Sequence, residues 1–157
     1  MTVTVLTSGT SYAIPSNWSA TNQIETFGDG GSGNADSANG SCAGGSGSYS
    51  SISNVTGLSG SVTIGIGTGG AASTVGGNSG TGVWFNGASV ASSTVSSNPG
   101  NGALSGATVG GLGGSTTGTN GTTKTAGSNG GVGLNSTNGG AGGGAGALVV
   151  GYDTNAN

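Results

Sequence analysis

The sequence predicts an all-β protein, a short-stranded β-sandwich or β-roll with long glycine-rich loops and little or no α-helix. Three observations carry this. Short apolar blocks alternate with period two, as in Val3/Val5 and Val62/Ile64/Ile66. No segment has an apolar period of 3.6 residues. Glycine fills 40 of 157 positions, and each glycine opposes helix by about 1 kcal/mol relative to alanine.

The elements follow in order. Thr2-Val3-Thr4-Val5-Leu6 reads as a strand, and Thr7-Ser8-Gly9-Thr10 as a turn. Ser11 to Ile14 extends into Pro15, which favours an extended preceding residue. Gln23 to Phe27 is a third strand, with Ile24 and Thr26 opposing Gln23, Glu25 and Phe27. Tyr49 to Val55 and Ser61 to Ile66 are strands again, with Ile52 and Asn54 sharing one face of the first. Gly82 to Gly87 ends in Asn86-Gly87, a strong hairpin signal, with Ala88-Ser89-Val90 as its returning partner. Ala147 to Tyr152 is the last strand. The chain thus reads as one domain, 1–157, strand-rich over 1–27, 49–66, 82–90 and 146–152. Glycine-rich excursions fill 28–48, 67–81 and 96–145.

Composition excludes much chemistry. Gly, Ser, Thr, Ala and Asn make up about three quarters of the chain. There is no His and no Arg, and the charges are Glu25, Asp29, Asp36, Lys124 and Asp153. A general base near neutral pH is most often His. A zinc site needs several Cys and His, and Cys42 is alone. Nucleic acid needs cationic neutralisation, and this chain has net charge −3. We therefore expect no enzyme activity, no catalytic, cofactor or metal residues, and no nucleic-acid partner. Membrane insertion is not expected, because the longest bulky apolar runs, such as Val83-Trp84-Phe85, are far short of a spanning segment. No basic n-region and apolar h-region follow Met1, so no Sec-type signal peptide is visible.

The glycine runs have two readings. They are flexible loops, or they form polyglycine-II helices, extended with three residues per turn and packed so closely that a Cβ would hold the backbones apart. The spacing by three of Gly127/Gly130/Gly133, Gly140/Gly143/Gly146, Gly110/Gly113 and Gly118/Gly121 fits the second. Collagen is excluded, since Pro15 and Pro99 are the only prolines.

Several motifs carry residue types that a site would use. Gly65-Ile66-Gly67-Thr68-Gly69-Gly70 fits a dinucleotide fingerprint, but a chain this rich in glycine contains about two such matches by chance. Asp29, Asn34 and Asp36 could hold Ca²⁺, although their spacing fits no calcium loop. Glu25 and Asp29 could pair as acid and base on a glycoside, and Glu25 reads more simply as an edge-protecting charge. Cys42 is a buried filler or an interchain disulfide. Lys124 follows Thr123, so no phosphate loop exists. Asn17, Asn39, Asn54, Asn120 and Asn135 head N-x-S/T triplets, which this composition produces by chance. Trp18 and Trp84 could stack on sugars, or serve as the largest groups of a poor core.

Thr4 to Trp18, with its Thr-Ser-Gly-Thr-Ser-Tyr-Ala-Ile-Pro-Ser-Asn-Trp stretch, then Ile24 to Phe27 running into glycine, resembles the opening of the glycine-rich domain proteins of tailed bacteriophages and prophages. Gly47 to Val55 and Gly60 to Gly67 look like that family's central strands. Gly82-Val83-Trp84-Phe85-Asn86-Gly87 and Gly144 to Tyr152 are similar to its later ones. Here the glycine runs are diluted by Ser, Thr and Asn. The resemblance implies a structural protein on the virion surface, a tail-fibre or tail-tip component or adhesin for host attachment. Alternatives are a capsid decoration protein or head fibre, or a bacterial extracellular filament subunit. It also implies other virion proteins and a host-surface glycan or protein as partners.

Only 32 bulky apolar residues serve the chain, against an ordering cost of about 1–2 kcal/mol per residue. A homo-oligomer is therefore expected, a trimer as first guess. Val3, Val5, Ile24, Phe27, Val62, Ile64, Trp84, Leu148 and Val150 are the expected apolar nucleus.

Overall fold

The structure, a computed structural model, describes residues 2–34, 41–71, 73, 76–104, 109–132 and 148–153, the last as backbone. It is an all-β sandwich. The strands are β1 Thr2–Leu6, β2 Ser11–Ala13, β3 Asn22–Phe27, β4 Tyr49–Ser53, β5 Ser61–Gly65, β6 Val83–Gly87, β7 Ser93–Ser97, β8 Thr123–Thr125 and β9 Leu148–Asp153. One antiparallel sheet has the order β1-β9-β3-β4-β8 and the other β2-β5-β6-β7. The only helical element among the described residues is a 3-10 turn, Val90–Ser92.

Period-two alternation places the core. On β3, Asn22, Ile24 and Thr26 are buried, while Gln23, Glu25 and Phe27 face outward. Ile24 meets Val62 and Ile64 of β5, Val83 and Phe85 of β6, and Val95 of β7, with Ile14 closing the cluster. Trp18, Tyr12 and Ile52 pack around it. Thr26 and Ser97 join the two sheets at one end of this core, their hydroxyl oxygens 2.8 Å apart. The Ser97 hydroxyl also donates to the Thr26 carbonyl at 2.8 Å.

Four expectations are corrected. Val3 and Val5 are 46% and 54% exposed rather than in the nucleus, because β1 is an edge strand and turns them outward. Phe27 and Trp84 are half-buried: Phe27 lies outside the sandwich against the Tyr49 ring, 5.0 Å between centroids. Leu148 and Val150 lie on β9, whose side chains are outside the described residues. The strand returning from Asn86-Gly87 is 93–97, not 88–90, because the chain first makes the 3-10 turn; Phe85 pairs with Val95 and Gly87 with Ser93. Finally, the excursion read as 96–145 contains β8, which pairs with β4 through Ser50↔Lys124.

Strand registers fix where the glycine-rich excursions leave. Phe27 pairs with both Tyr49 and Leu148, and Tyr49 pairs with Thr125. Val83 pairs with Ser97 in the other sheet. The ends adjoining the excursions therefore lie together at one end of the sandwich, the end bridged by Thr26 and Ser97.

Candidate functional site: the far end of a glycine slab

Seven glycine-rich runs extend from that end: 28–34, 41–48, 67–71, 76–81, 98–104, 109–115 and 126–132. Alternate runs lead outward and back. Their hydrogen bonds recur every third residue. Gly28, Gly31 and Asn34 donate to Ser48, Gly45 and Cys42 at 2.8, 2.9 and 3.1 Å. A β-ladder repeats every second residue, so a period of three identifies the polyglycine-II conformation, with no bonds inside a run and all of them between runs.

The bonds also give the lattice. The first run meets the second (Gly31 to Gly45), the third (Gly70 to Gly30), the fourth (Ser32 to Asn78) and the fifth (Gly100 to Asp29). The second meets the fifth (Gly45 to Asn101), the sixth (Gly111 to Ala43) and the seventh (Ala43 to Gly131). The fourth meets the third (Thr81 to Thr68) and the fifth (Gly77 to Ala103). The sixth meets the fifth (Asn101 to Leu112) and the seventh (Gly127 to Gly114). These neighbours fit a single arrangement, a slab two layers thick. Runs three, one, two and seven form one layer; runs four, five and six nest in its grooves. At about 3.1 Å per residue the slab is ~20 Å long.

Glycine is required where the runs approach most closely. A Cβ on Gly31 would overlap the Asn101 carbonyl, and one on Gly100 the Gly45 carbonyl. The Ser and Asn residues that dilute the runs supply bonds as well. Ser32 Oγ accepts from Asn78 N–H at 2.8 Å and donates to the Ala71 carbonyl at 2.8 Å. Asn129 Oδ1 accepts from Gly113 N–H at 2.9 Å. The bundle reading therefore holds for the described runs, including Gly110/Gly113 and Gly127/Gly130. It fails for Gly118 and Gly121, which take φ of +74° and +142° in the turn before β8. Gly133, Gly140, Gly143 and Gly146 lie outside the described residues.

The sequence candidates disperse over this framework. Glu25 lies on the outer face of its sheet, its Oε1 accepting from Tyr49 OH at 2.7 Å and Gln23 Nε2 at 2.9 Å. Asp29 is instead enclosed at the root of the slab, 3% exposed, where Gly67 and Gly80 leave room for it. The two carboxylates thus lie in different surroundings, Glu25 on an outer sheet face and Asp29 enclosed in the slab. Asn34 is committed to the slab, accepting from Cys42 N–H at 2.6 Å and donating to the Leu104 carbonyl at 3.0 Å. Asp36 lies outside the described residues. Cys42 is 2% exposed within the second run, the filler position rather than an interchain one.

Of the fingerprint glycines, Gly65 ends β5 beneath the Trp84 ring, and Gly67 and Gly70 belong to the third run, with no helix after them among the described residues. Lys124 Nζ donates to the Thr119 carbonyl at 3.2 Å. Trp18 and Trp84 donate to the carbonyls of Val55 and Gly87 at 3.0 and 3.1 Å, which fixes them as framework. Asn120 spends its amide on β7, while Asn17 and Asn54 are exposed. Asn39 and Asn135 are outside the described residues.

What sequence reading missed is the far end of the slab. The large hydrophobics exposed among the described residues are Val3, Val5, Leu104, Val109, Leu112 and Val132. Four of these six lie on runs five, six and seven. The bond from Asn101 to Leu112 sets the register of runs five and six, so Leu104 is level with Val109 one turn further out. The bond from Gly130 to Gly111 places Val132 level with Val109. Leu104, Val109 and Leu112 are 71%, 60% and 58% exposed. Their spacing by three was the available signal: Val109 and Leu112 share one face only if the run has three residues per turn.

Neither a family model nor a curated protein matches this chain. Among the described residues, no helix is long and apolar enough to cross a membrane.

Proposed function

We propose that this is a non-enzymatic structural protein of the tailed-phage virion surface, an attachment module whose glycine slab presents its far end to a host-surface molecule. The sandwich end then joins the particle and other copies of the chain. The observation that carries the reading is the level row Leu104, Val109 and Val132, exposed aliphatic groups at the outer end of the described runs. Isolated exposed aliphatics are common, but neighbours on adjoining runs make a patch, and patches mark interaction sites. A slab held by backbone bonds suits the task, because it projects a rigid end with little apolar core of its own. The resemblance to glycine-rich phage proteins supplies the setting.

Mass spectrometry of purified particles tests the location. A few to a few dozen copies per particle fits a fibre or tail tip. Hundreds of copies would move the protein to the capsid as a decoration, and its absence from particles would contradict the reading.

A further inference from the structure

The sandwich has four strand edges, and they are not equivalent. β8 has three residues and carries Lys124, the only Lys of the chain. β2 has three residues and runs into Ile14-Pro15. β7 is covered: Ser96 N–H donates to the Asn120 carbonyl at 3.0 Å, and Asn120 Nδ2 donates to the Ser93 carbonyl at 2.9 Å. Short length, a lysine, a proline and a covering loop are the usual guards against strand addition. The fourth edge, β1, carries none of them among the described residues. Its five residues, Thr-Val-Thr-Val-Leu, are uncharged and rich in β-branched side chains, and it pairs only with β9 among the described strands. Val3 and Val5 stand 46% and 54% exposed on the same side.

We propose that β1 is the docking edge for a second copy of this chain, β1 against β1 in antiparallel orientation about a two-fold axis at Thr4. The occupant follows from the sequence of the edge itself. Antiparallel pairing centred on Thr4 sets Val3 opposite Val5 of the other copy and Val5 opposite Val3. Thr2 then faces Leu6. An isologous contact requires such self-complementarity. No charge is brought against its like. The two five-stranded sheets become one continuous sheet, and the four valines gather on one side of the junction as cross-strand pairs. Such a pair is two-fold, so the unit is a dimer and not the trimer that composition suggested. The proposal rests on the oligomer reading and is independent of the virion setting.

Sedimentation velocity and hydrogen exchange test it on the full chain. A concentration-dependent dimer is expected for the wild type. Val5→Lys places a guard charge at an exposed position, and it should yield a monomer with an unchanged circular dichroism spectrum. Exchange of the residue 2–6 amides in the wild type, which needs no variant, should slow severalfold between dilute and concentrated samples. A monomer at every concentration overturns the dimer and the oligomer reading together. An oligomer that survives Val5→Lys, or whose residue 2–6 exchange is independent of concentration, overturns β1 as the edge and leaves the oligomer standing.

Discussion

Ser46 and Ser128 hold one another through both backbone and side chain: Ser46 N–H donates to the Ser128 carbonyl at 2.9 Å, and Ser128 N–H donates to Ser46 Oγ at 2.7 Å. The backbone bond is the one a pure glycine lattice would make. The hydroxyl adds a second bond between the same two runs. Serine and asparagine are thus lattice members at positions where the side chain points along a groove, and glycine is required where it would point into a neighbour.

That division predicts opposite outcomes for alanine at two glycines. Gly31→Ala drives a methyl into the Asn101 carbonyl and should cost about 1–3 kcal/mol, lowering Tm by roughly 2–4 °C for each kcal/mol. At Gly69 the nearest atom is a carbonyl oxygen 3.7 Å away. Gly69→Ala should leave Tm unchanged or raise it, since alanine restricts the unfolded chain by about 0.4–1 kcal/mol. Thermal melts of the two variants check this.

Asn34 closes the outer part of the slab with bonds to Cys42 N–H and the Leu104 carbonyl. Asn34→Ala removes both and should cost about 1–3 kcal/mol. Asn34→Asp keeps the acceptor toward Cys42 but sets a buried carboxylate oxygen against the Leu104 carbonyl, so at neutral pH its melt should lie at or below that of the alanine variant.

The sheets are tied by Thr26 and Ser97. In a double-mutant cycle of Thr26→Val and Ser97→Ala, denaturant unfolding should show a coupling of about 0.5–3 kcal/mol. A cycle that is additive within error would mean the two hydroxyls act independently.

Replacing Leu104 and Leu112 by Asn and Val109 by Thr alters exposed positions and should move stability by no more than about 0.5 kcal/mol each. The proposed function requires that the triple variant lose binding to host cells while its melt is preserved. Pull-down of labelled protein by intact cells measures the loss.

Most of the sandwich was legible in the sequence, because a period of two needs only a few residues to show. Ile24 and Thr26 against Gln23, Glu25 and Phe27 separates the two faces of β3, although the expected nucleus drew on both. β8 was not legible: Thr123-Lys124-Thr125 carries no apolar residue, and only its pairing with β4 makes it a strand. The outward turn of Val3 and Val5 was also hidden, since alternation gives two faces and does not say which meets the core. The slab was half legible. Spacing by three suggested runs such as Gly110/Gly113, but the same spacing misled at Gly118/Gly121, where glycine serves positive φ. Of the far-end patch only the spacing by three of Val109 and Leu112 was legible, because bringing Leu104, Val109 and Val132 level depends on registers between runs.

The central claim is that the glycine-rich excursions are ordered by backbone bonds between runs. Amide hydrogen exchange followed by NMR tests it most directly. Gly31, Gly45, Gly100, Asn101 and Gly111 donate to carbonyls of neighbouring runs at 2.7–2.9 Å, and their amides should exchange orders of magnitude more slowly than an unstructured chain, alongside the strand amides of Ile24 and Phe85. Exchange of these five at unprotected rates, while Ile24 and Phe85 stay protected, would show a folded sandwich carrying loose loops and would contradict the account.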